Sequence, residues 1–312
     1  MAASEFYFEA DDGVRRLIRR WLPGDRPRAI VQIAHGLAEH SRRYEDFALA
    51  LNRAGIGAYA NDHRGHGGTA KAGEFGFLAA QDGWRLCLDD LWVLNRRIAG
   101  DHPGAPIVFF GHSMGSFMGQ AFIADHGDAL AGAILSGSNG APPATAGLGR
   151  WIARFERMRL GARGKSKLLK TMMFGEFNKP FRPARTPFDW LSRDPAAVDA
   201  YIADPLCGFD YTTQLVIDLL DGLPPLLAPA TLARIPKTLP IYIVSGARDP
   251  VGGNLQGLID AYRGAGLKPT VRLYPDARHE MLNELDRETV KAELIGWIDG
   301  VLAKAPPVAV VA

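Results

Sequence analysis

Residues 107–115 read Ile107-Val108-Phe109-Phe110-Gly111-His112-Ser113-Met114-Gly115, and this stretch decides the fold. Its first four residues form a short apolar run, which is typical of a buried parallel strand. Its last five residues fit the pattern G-x-S-x-G, and the small, apolar run from 116 to 124 predicts a helix. A strand, a tight turn and a helix in this order lift a serine hydroxyl clear of the sheet. The two glycines leave room for that turn, so we expect Ser113 to be a nucleophile.

Strand-like and helix-like runs alternate outward from this turn in both directions. The strand-like runs lie at 6–8, 15–21, 29–34, 57–60, 133–135, 241–244 and 271–274, and the first two indicate an antiparallel start. Helical spacing of apolar residues spans 44–54, 84–98, 255–262 and 290–301, and Gly55 and Gly100 are expected to end the first two helices. The alternation predicts an α/β fold, with a mostly parallel sheet of about eight strands and helices on both faces.

The alternation breaks between about 139 and 235. This stretch contains many prolines, no clear buried strand, and helix-like runs at 151–158 and 211–220. We interpret residues 139–235 as a helical cap inserted into one core, whose two parts are residues 1–138 and 236–312. Ligands of open α/β sheets bind beyond the carboxyl ends of the strands, so we expect the cap to lie above that edge.

Composition and charge exclude several classes of protein. The chain has 312 residues and a net charge of +2, which gives no reason to expect a nucleic-acid partner. No apolar run reaches the ~20 residues of a membrane span. The first five residues lack the basic and apolar regions of a secretory signal. Cys87 and Cys207 lie far apart in apolar surroundings, so we expect free thiols and a cytoplasmic location.

One part of the predicted cap is strongly basic. Residues 150–185 contain eleven Lys or Arg and two Glu, and apolar residues are interleaved with them. Such a patch fits peripheral contact with anionic lipid in a membrane, or with an acidic substrate. It also fits a solvated face that acidic residues elsewhere balance. The sequence leaves both interpretations open.

A serine nucleophile needs a base and a carboxylate that orients the base, in the chain order Ser, Asp or Glu, His. Asp249 follows the strand at 241–244 on a glycine-containing loop. His279 follows the strand at 271–274 and is the only histidine after position 126. We therefore predict Ser113, Asp249 and His279 as the catalytic residues. Asp260 and Asp276 compete with Asp249, but the first is expected inside a helix and the second shares the loop of His279.

The oxyanion of a tetrahedral intermediate needs two backbone N–H donors. We expect one from Met114, directly after the nucleophile, and the other from Leu37, on the loop after the strand at 29–34. Several histidines lie near these loops, at positions 35, 40, 63, 66 and 112. Their spacing lacks a matching carboxylate, and a serine triad needs no metal, so we expect neither a metal nor a cofactor. We expect the loop 62–67 to brace the site through hydrogen bonds.

With these residues identified, the chain resembles the monoacylglycerol lipase and lysophospholipase branch of the α/β-hydrolase superfamily. The resemblance covers the chain from about Phe6 to Ala303. It rests on the stretches 35–41, 62–67, 111–115, 188–194 and 204–209, and on the loops of Asp249 and His279. It implies an α/β-hydrolase fold with an inserted helical cap. It also implies the catalytic and oxyanion roles already given.

The resemblance adds two substrate-binding residues and shows two departures. It implies that Glu39 lies near the polar head of the substrate, and we expect His112 to be a second substrate-binding residue. Ser116 stands where many members have glycine, and Leu282 stands where the eukaryotic enzymes are expected to have a polar residue. The second departure fits a less polar leaving group.

We therefore expect a serine ester hydrolase that acts through an acyl-serine intermediate. Its partner would be a small-molecule ester or lipid: a monoacylglycerol, a lysophospholipid or a simple short- or medium-chain ester. The residues leave three alternatives open. A thioesterase or a serine peptidase would use the same triad, and a silent ligand-binding protein would use the same scaffold.

Overall fold

The computed structural model describes residues 3–9, 12–71, 73–142 and 146–304. The strands of this described chain confirm all eight predicted strand runs. They are β1 Ser4–Glu9, β2 Arg15–Trp21, β3 Ala29–Ala34, β4 Ile56–Asn61, β5 Ile107–His112, β6 Gly132–Ser136, β7 Ile241–Gly246 and β8 Thr270–Tyr274.

The α-helices of the described residues alternate with the strands, except between β6 and β7, where several helices follow one another. They are α1 Glu45–Arg53, α2 Gly83–Asp101, α3 Met114–His126, α4 Ala146–Leu160, α5 Lys167–Phe174, α6 Pro195–Ala203, α7 Thr213–Gly222, α8 Pro229–Arg234, α9 Leu255–Gly264 and α10 Arg287–Leu302. Across residues 3–304, leaving aside the short gaps already given, no helix is both long and apolar enough to cross a bilayer.

One predicted helix end was right and the other was wrong. Gly55 follows α1 with a φ of +74°, the left-handed conformation that commonly ends a helix. Gly100 does not end α2, because the helix continues through it to Asp101. The glycine that reverses the chain is Gly104, whose φ is +81°. A glycine in the sequence marks a helix end only where the backbone adopts that conformation.

The strands form one mixed sheet in the order β1-β2-β4-β3-β5-β6-β7-β8. β1, β2 and β4 pair antiparallel, and every pairing from β4 through β3 to β8 is parallel. The carboxyl ends of β3, β5, β7 and β8 consequently meet at one edge of the sheet. The loops after these strands carry the predicted catalytic and oxyanion residues, so the topology gathers them at one place.

Helices cover both faces of the sheet. On one face, α1 and α10 pack through Phe47, Leu51 and Leu294. On the other face, α3 and α9 pack through Phe122 and Leu258. The central strands are buried on both sides, which explains why their sequences are continuous apolar runs and not alternating ones.

The described chain between β6 and β7 contains α4 to α8 and no strand. α4 packs against α7, which in turn packs against α2, and α8 packs against α3. Leu215, Leu219 and Leu232 from these helices join the apolar core that also holds Phe122. A separate apolar cluster forms around Trp190 and Tyr201. The later inserted helices are thus anchored on the sheet domain.

Candidate active site

Ser113 lies at the tip of the turn between β5 and α3. Its φ of +51° is in the left-handed region that residues other than glycine rarely adopt. The flanking glycines allow the turn to close. A Cβ on Gly111 would lie 2.3 Å from the carbonyl oxygen of Gly115, and a Cβ on Gly115 would lie 2.1 Å from that of Ala34. Both contacts are with backbone, so the surrounding structure holds Ser113 in its strained conformation.

Leu37 and Met114 line the same cavity as Ser113 and belong to two different elements. Met114 is the first residue of α3, where backbone N–H groups have no acceptor within the helix. Leu37 follows Gly36, on which a Cβ would lie 3.3 Å from the Cβ of Ser113. Among the described residues, no acceptor takes the N–H of Leu37 or of Met114. Both donors are therefore available to a bound oxyanion.

His279 and Asp249 are joined by a hydrogen bond, although they follow different strands. The Nδ1 of His279 and the Oδ2 of Asp249 are 2.8 Å apart. Asp249 also accepts hydrogen bonds from the N–H of Val251 at 2.8 Å and from the hydroxyl of Ser245 at 3.3 Å. Three donors thus fix the carboxylate, and the carboxylate fixes the orientation of the imidazole.

The two competing aspartates lie elsewhere. Asp260 is exposed on α9, where its carboxylate accepts a hydrogen bond from Gln256 at 2.8 Å. Asp276 is exposed on the loop after β8. Of the three candidate aspartates, Asp249 is the one that contacts His279.

His279 is buried between two aromatic rings. The ring centroid of His112 lies 4.6 Å away, and that of Trp190 lies 5.1 Å away. Burial disfavours the charged imidazolium, but the neighbouring carboxylates, Asp249 foremost and then Glu280 and Glu39, together outweigh burial and raise the pKa of His279. Burial and the nearby His279 lower the pKa of His112 to about 4. The site therefore holds one basic imidazole and one that stays neutral.

Ser113 and His279 share the wall of one cavity of about 670 Å³, a size typical of small-molecule sites. Most of the wall is aromatic or aliphatic, including Phe117, Met173, Phe174, Phe177, Trp190 and Leu219. Within the described residues, no hydrogen bond joins the Ser113 hydroxyl to His279. In unliganded enzymes such a bond commonly tightens only when substrate binds.

The two predicted substrate-binding residues, Glu39 and His112, also lie on this wall. Glu39 is buried, and its carboxylate accepts hydrogen bonds from the N–H of Gly36, the hydroxyl of Tyr44 and the guanidinium of Arg43. Its oxygens are thus held by neighbouring residues of the segment between β3 and α1.

Four residues at the site escaped the sequence analysis: Arg43, Trp190, Ser245 and Glu280. Arg43 alone had a signal, because it stands four residues after Glu39, a spacing typical of ion pairs. Trp190 and Glu280 meet the site through contacts between distant parts of the chain. No pattern in the sequence reports such contacts.

The histidines near the site brace its loops. The N–H of His63 donates to the Nε2 of His35 at 2.9 Å, and the two ring centroids are 4.1 Å apart. Burial lowers the pKa of His63 to about 3 and that of His66 to about 4. Asp62 accepts the N–H of Ser41 at 2.8 Å. These contacts confirm the predicted hydrogen-bonded loop at 62–67.

The chain is similar in sequence to a known protein family and to known lipases. A family model described as "Serine aminopeptidase, S33" matches residues 25–286. A monoacylglycerol lipase of Mycolicibacterium smegmatis is 30% identical over 300 residues, which are 95% of this chain and 96% of that protein. A monoglyceride lipase of Homo sapiens is 27% identical over 92% of this chain and 88% of its own length.

Solved structures are similar over the same extent. A thermostable carboxyl esterase from Bacillus coagulans, solved in complex with glycerol, matches with a TM-score of 0.88 and 29% identity. The match covers 97% of this chain and 99% of that chain. Together with the order of the sheet, this likeness confirms the predicted fold.

Proposed function

Because the chain belongs to the family described as serine aminopeptidase, S33, and is a serine ester hydrolase related to the monoacylglycerol lipases, we propose that Ser113, Asp249 and His279 are its catalytic triad. One observation carries this proposal. His279, whose Nδ1 lies 2.8 Å from the Oδ2 of Asp249, shares the wall of one cavity with Ser113. The chain order Ser, Asp, His also supports the proposal, because it is the order expected of a triad on the α/β-hydrolase fold.

In the proposed mechanism, His279 takes the proton of the Ser113 hydroxyl while the serine oxygen attacks the ester carbonyl. Asp249 holds the Nδ1–H of His279, so that Nε2 faces the serine, and stabilises the imidazolium. The N–H groups of Leu37 and Met114 bind the oxyanion. His279 then protonates the leaving alcohol, which leaves an acyl-serine. The same histidine activates a water molecule, which releases the carboxylic acid and restores the serine.

We propose a substrate with a medium-length acyl chain and a small alcohol: a monoacylglycerol, a lysophospholipid or a simple carboxylic ester. The apolar and aromatic walls of the cavity support an acyl-binding role. Glu39 and His112 would lie near the leaving alcohol. Leu282 lines a small cleft beside these two residues, which favours a less polar alcohol.

We further propose that residues 139–235 act as the cap of the site. Met173, Phe174, Trp190 and Leu219 of this segment lie on the cavity wall, opposite residues of the sheet domain such as Ser113. A cap of this kind would exclude water from the acyl-enzyme and would set the length of chain that fits.

The surface of α4 supports peripheral contact of this cap with membranes. Leu148, Trp151, Phe155 and Met158 repeat at intervals of three or four residues, and each side chain is more than half exposed. The same helix carries four arginines, at positions 150, 154, 157 and 159, of which all but Arg157 form ion pairs with acidic residues. An exposed apolar face on a helix that also carries cations fits the interface of an anionic bilayer.

We propose a cytoplasmic location. Cys87 and Cys207 are both buried free thiols, which is typical of proteins in a reducing compartment.

Hydrolysis of p-nitrophenyl esters with acyl chains from C2 to C16 tests the proposed function, with Ser113→Ala as the control. We expect an optimum at one chain length and loss of activity in the variant. Thioesters and aminoacyl p-nitroanilides, assayed in parallel, distinguish the alternative activities. A fluorophosphonate should label the wild type and not Ser113→Ala. Failure to label and to hydrolyse any ester would favour the silent binding protein.

Pelleting with phospholipid vesicles tests the membrane contact. We expect binding to vesicles that contain anionic lipid, and loss of binding in the double variant Trp151→Ser/Phe155→Ser. Leu285→Ser is the matched control, because Leu285 is similarly exposed but lies outside the inserted segment. Equal binding of the wild type to neutral and anionic vesicles, or binding to neither, would contradict the electrostatic part of the proposal.

A further inference from the structure

A guanidinium group joins two buried carboxylates beside the candidate site. Nη1 of Arg43 donates to Glu39 at 2.6 Å and to Glu280 at 2.6 Å, and Nη2 donates to the other oxygen of Glu280 at 2.7 Å. The side chains of Glu39 and Glu280 are 4% and 6% exposed. We call these three residues the carboxylate–guanidinium bridge.

The bridge connects two loops that carry different parts of the proposed machinery. At one end, Glu39 accepts the N–H of Gly36, the residue before the oxyanion donor Leu37. A Cβ on Gly36 would lie 2.8 Å from the Glu39 carboxylate and 3.3 Å from the Cβ of Ser113. The three groups are therefore packed closely together, and Glu39 limits where the oxyanion loop can lie relative to the serine.

The other end of the bridge adjoins the proposed base. Glu280 follows His279 directly in the chain, and its carboxylate makes a two-pronged contact with Arg43. Its N–H donates to the carbonyl oxygen of Leu191 at 2.8 Å. Through Arg43, the loop of the base is thus tied to the loop of the oxyanion donors, although the two loops are more than 230 residues apart in sequence.

The bridge carries an excess negative charge away from water, since it contains two carboxylates and one guanidinium. Burial alone would favour protonated carboxyls, but Arg43 lowers the pKa of Glu280 to about 2. Glu280 and Glu39 add to the effect of Asp249 in raising the pKa of His279. The other ionisable groups that face His279 are Asp249 and the neutral imidazole of His112.

Stability alone is a poor explanation of this arrangement. Replacing a buried ion pair by apolar residues of similar volume is often neutral or stabilising. The bridge lies between two functional loops, and its excess charge lies beside a group that becomes positive during the proposed reaction. An electrostatic contribution to a forming charge is larger in a buried site than in water.

We propose that the carboxylate–guanidinium bridge is a positioning element of ester hydrolysis, which holds the oxyanion loop against the loop of the base and stabilises the imidazolium of His279. This inference rests on the proposed roles of Ser113, Leu37 and His279. In this positioning role, Glu39, Arg43 and Glu280 act through other residues. The bridge is a second source of negative charge for the base, in addition to Asp249.

Charge-neutralising variants test the electrostatic part. Glu39→Gln and Glu280→Gln keep the shape of the side chain and each remove one negative charge. We expect each to lower the pKa of His279 by about 0.5–1 unit and the double variant to lower it further. The acid limb of kcat/KM should move to lower pH by the same amount. Asp125→Asn is the matched control, because Asp125 forms an exposed ion pair with Arg234 and should move neither quantity.

The variant Arg43→Lys tests the positioning part, because it keeps the charge and loses the two-pronged geometry. We expect the acid limb to stay in place, while kcat falls by about tenfold and KM changes little. Thermal unfolding of every variant identifies those that fold. A kcat that remains at the wild-type value in folded Arg43→Lys would overturn the positioning role.

Direct titration of His279 separates this inference from the proposed function. Histidine labelled with ¹³C at Cε1 reports each imidazole by NMR, and the resonance missing from His279→Asn identifies His279. An unchanged pKa of His279 in the folded Glu39→Gln, Glu280→Gln and double variants would overturn the proposal that the bridge stabilises the imidazolium, independently of which substrate the enzyme hydrolyses. If the pKa shifts but Ser113→Ala hydrolyses esters like the wild type, the electrostatic effect of the bridge on His279 stands and the proposed triad is wrong.

Discussion

The indole ring of Trp190 lies 5.1 Å from the imidazole ring of His279, measured between ring centroids. Trp190 belongs to the inserted helical segment, whereas His279 follows β8 of the sheet domain. The neighbouring residues are also joined, because the N–H of Glu280 donates to the carbonyl oxygen of Leu191 at 2.8 Å. The inserted segment therefore forms one wall of the environment of the proposed base, in addition to the walls of the acyl cavity.

This contact predicts that Trp190 affects the chemical step. Trp190→Ala leaves a void beside His279, so we expect kcat to fall about tenfold or more, since small displacements of catalytic groups slow reactions strongly. We also expect the free energy of unfolding to fall by ~3–5 kcal/mol. Trp190→Phe keeps an aromatic ring in place, so it should retain most of the wild-type kcat and most of the free energy of unfolding. Steady-state kinetics and urea unfolding measure the two effects. An unchanged kcat in Trp190→Ala would show that the ring does not orient the base.

The pKa of His279 predicts the acid limb of the pH profile. Only neutral His279 can accept the serine proton, and the Asp249 carboxylate raises the pKa of His279 above its ordinary value of 6.5. We therefore expect kcat/KM to reach its maximum at pH values well above this raised pKa. Below the pKa, kcat/KM should fall tenfold per pH unit. Initial rates between pH 5 and pH 9 measure the limb. Activity that remains constant down to pH 5 would contradict the role of His279 as the base.

Asp249 and its hydrogen-bond donor Ser245 are expected to contribute unequally to catalysis. Asp249→Asn removes the charge and favours the wrong tautomer of His279, so we expect kcat to fall by about 10³–10⁴. Ser245→Ala removes only a long hydrogen bond of 3.3 Å, and we expect a loss of less than about tenfold. Kinetics on the same ester compare the two variants. Equal losses would mean that Asp249 has no special role and that the loop as a whole positions the histidine.

The sequence predicted the strands and the site residues that directly follow them along the chain. Buried strands appear as continuous apolar runs, and the residues after them fall at one edge of the sheet, so Ser113, Asp249 and His279 could be chosen by position. Trp190 and the pairing of Arg43 with Glu280 could not. Both sets of contacts join segments far apart in the chain, and Trp190 belongs to an inserted region that has no repeating pattern. The error at Gly100 has a related cause, because composition does not report the φ angle that ends a helix.

Glycines therefore offer a direct test of where the backbone is constrained. A Cβ on Gly115 would lie 2.1 Å from the carbonyl oxygen of Ala34, and no side-chain movement can relieve that contact. We expect Gly115→Ala to lower the free energy of unfolding by ~1–3 kcal/mol or more and to abolish most ester hydrolysis by displacing Ser113. Gly100→Ala is the matched control, because a Cβ there meets nothing within 4 Å.

Gly100 lies inside α2, so the alanine should raise the free energy of unfolding by ~0.5–1 kcal/mol and leave kcat unchanged. Urea unfolding and steady-state kinetics of both variants supply the comparison. If Gly115→Ala were as stable and as active as the wild type, the close approach of the nucleophile turn to β3 would not constrain the site. If Gly100→Ala were destabilised, the helix would end before this residue, as the sequence alone predicted.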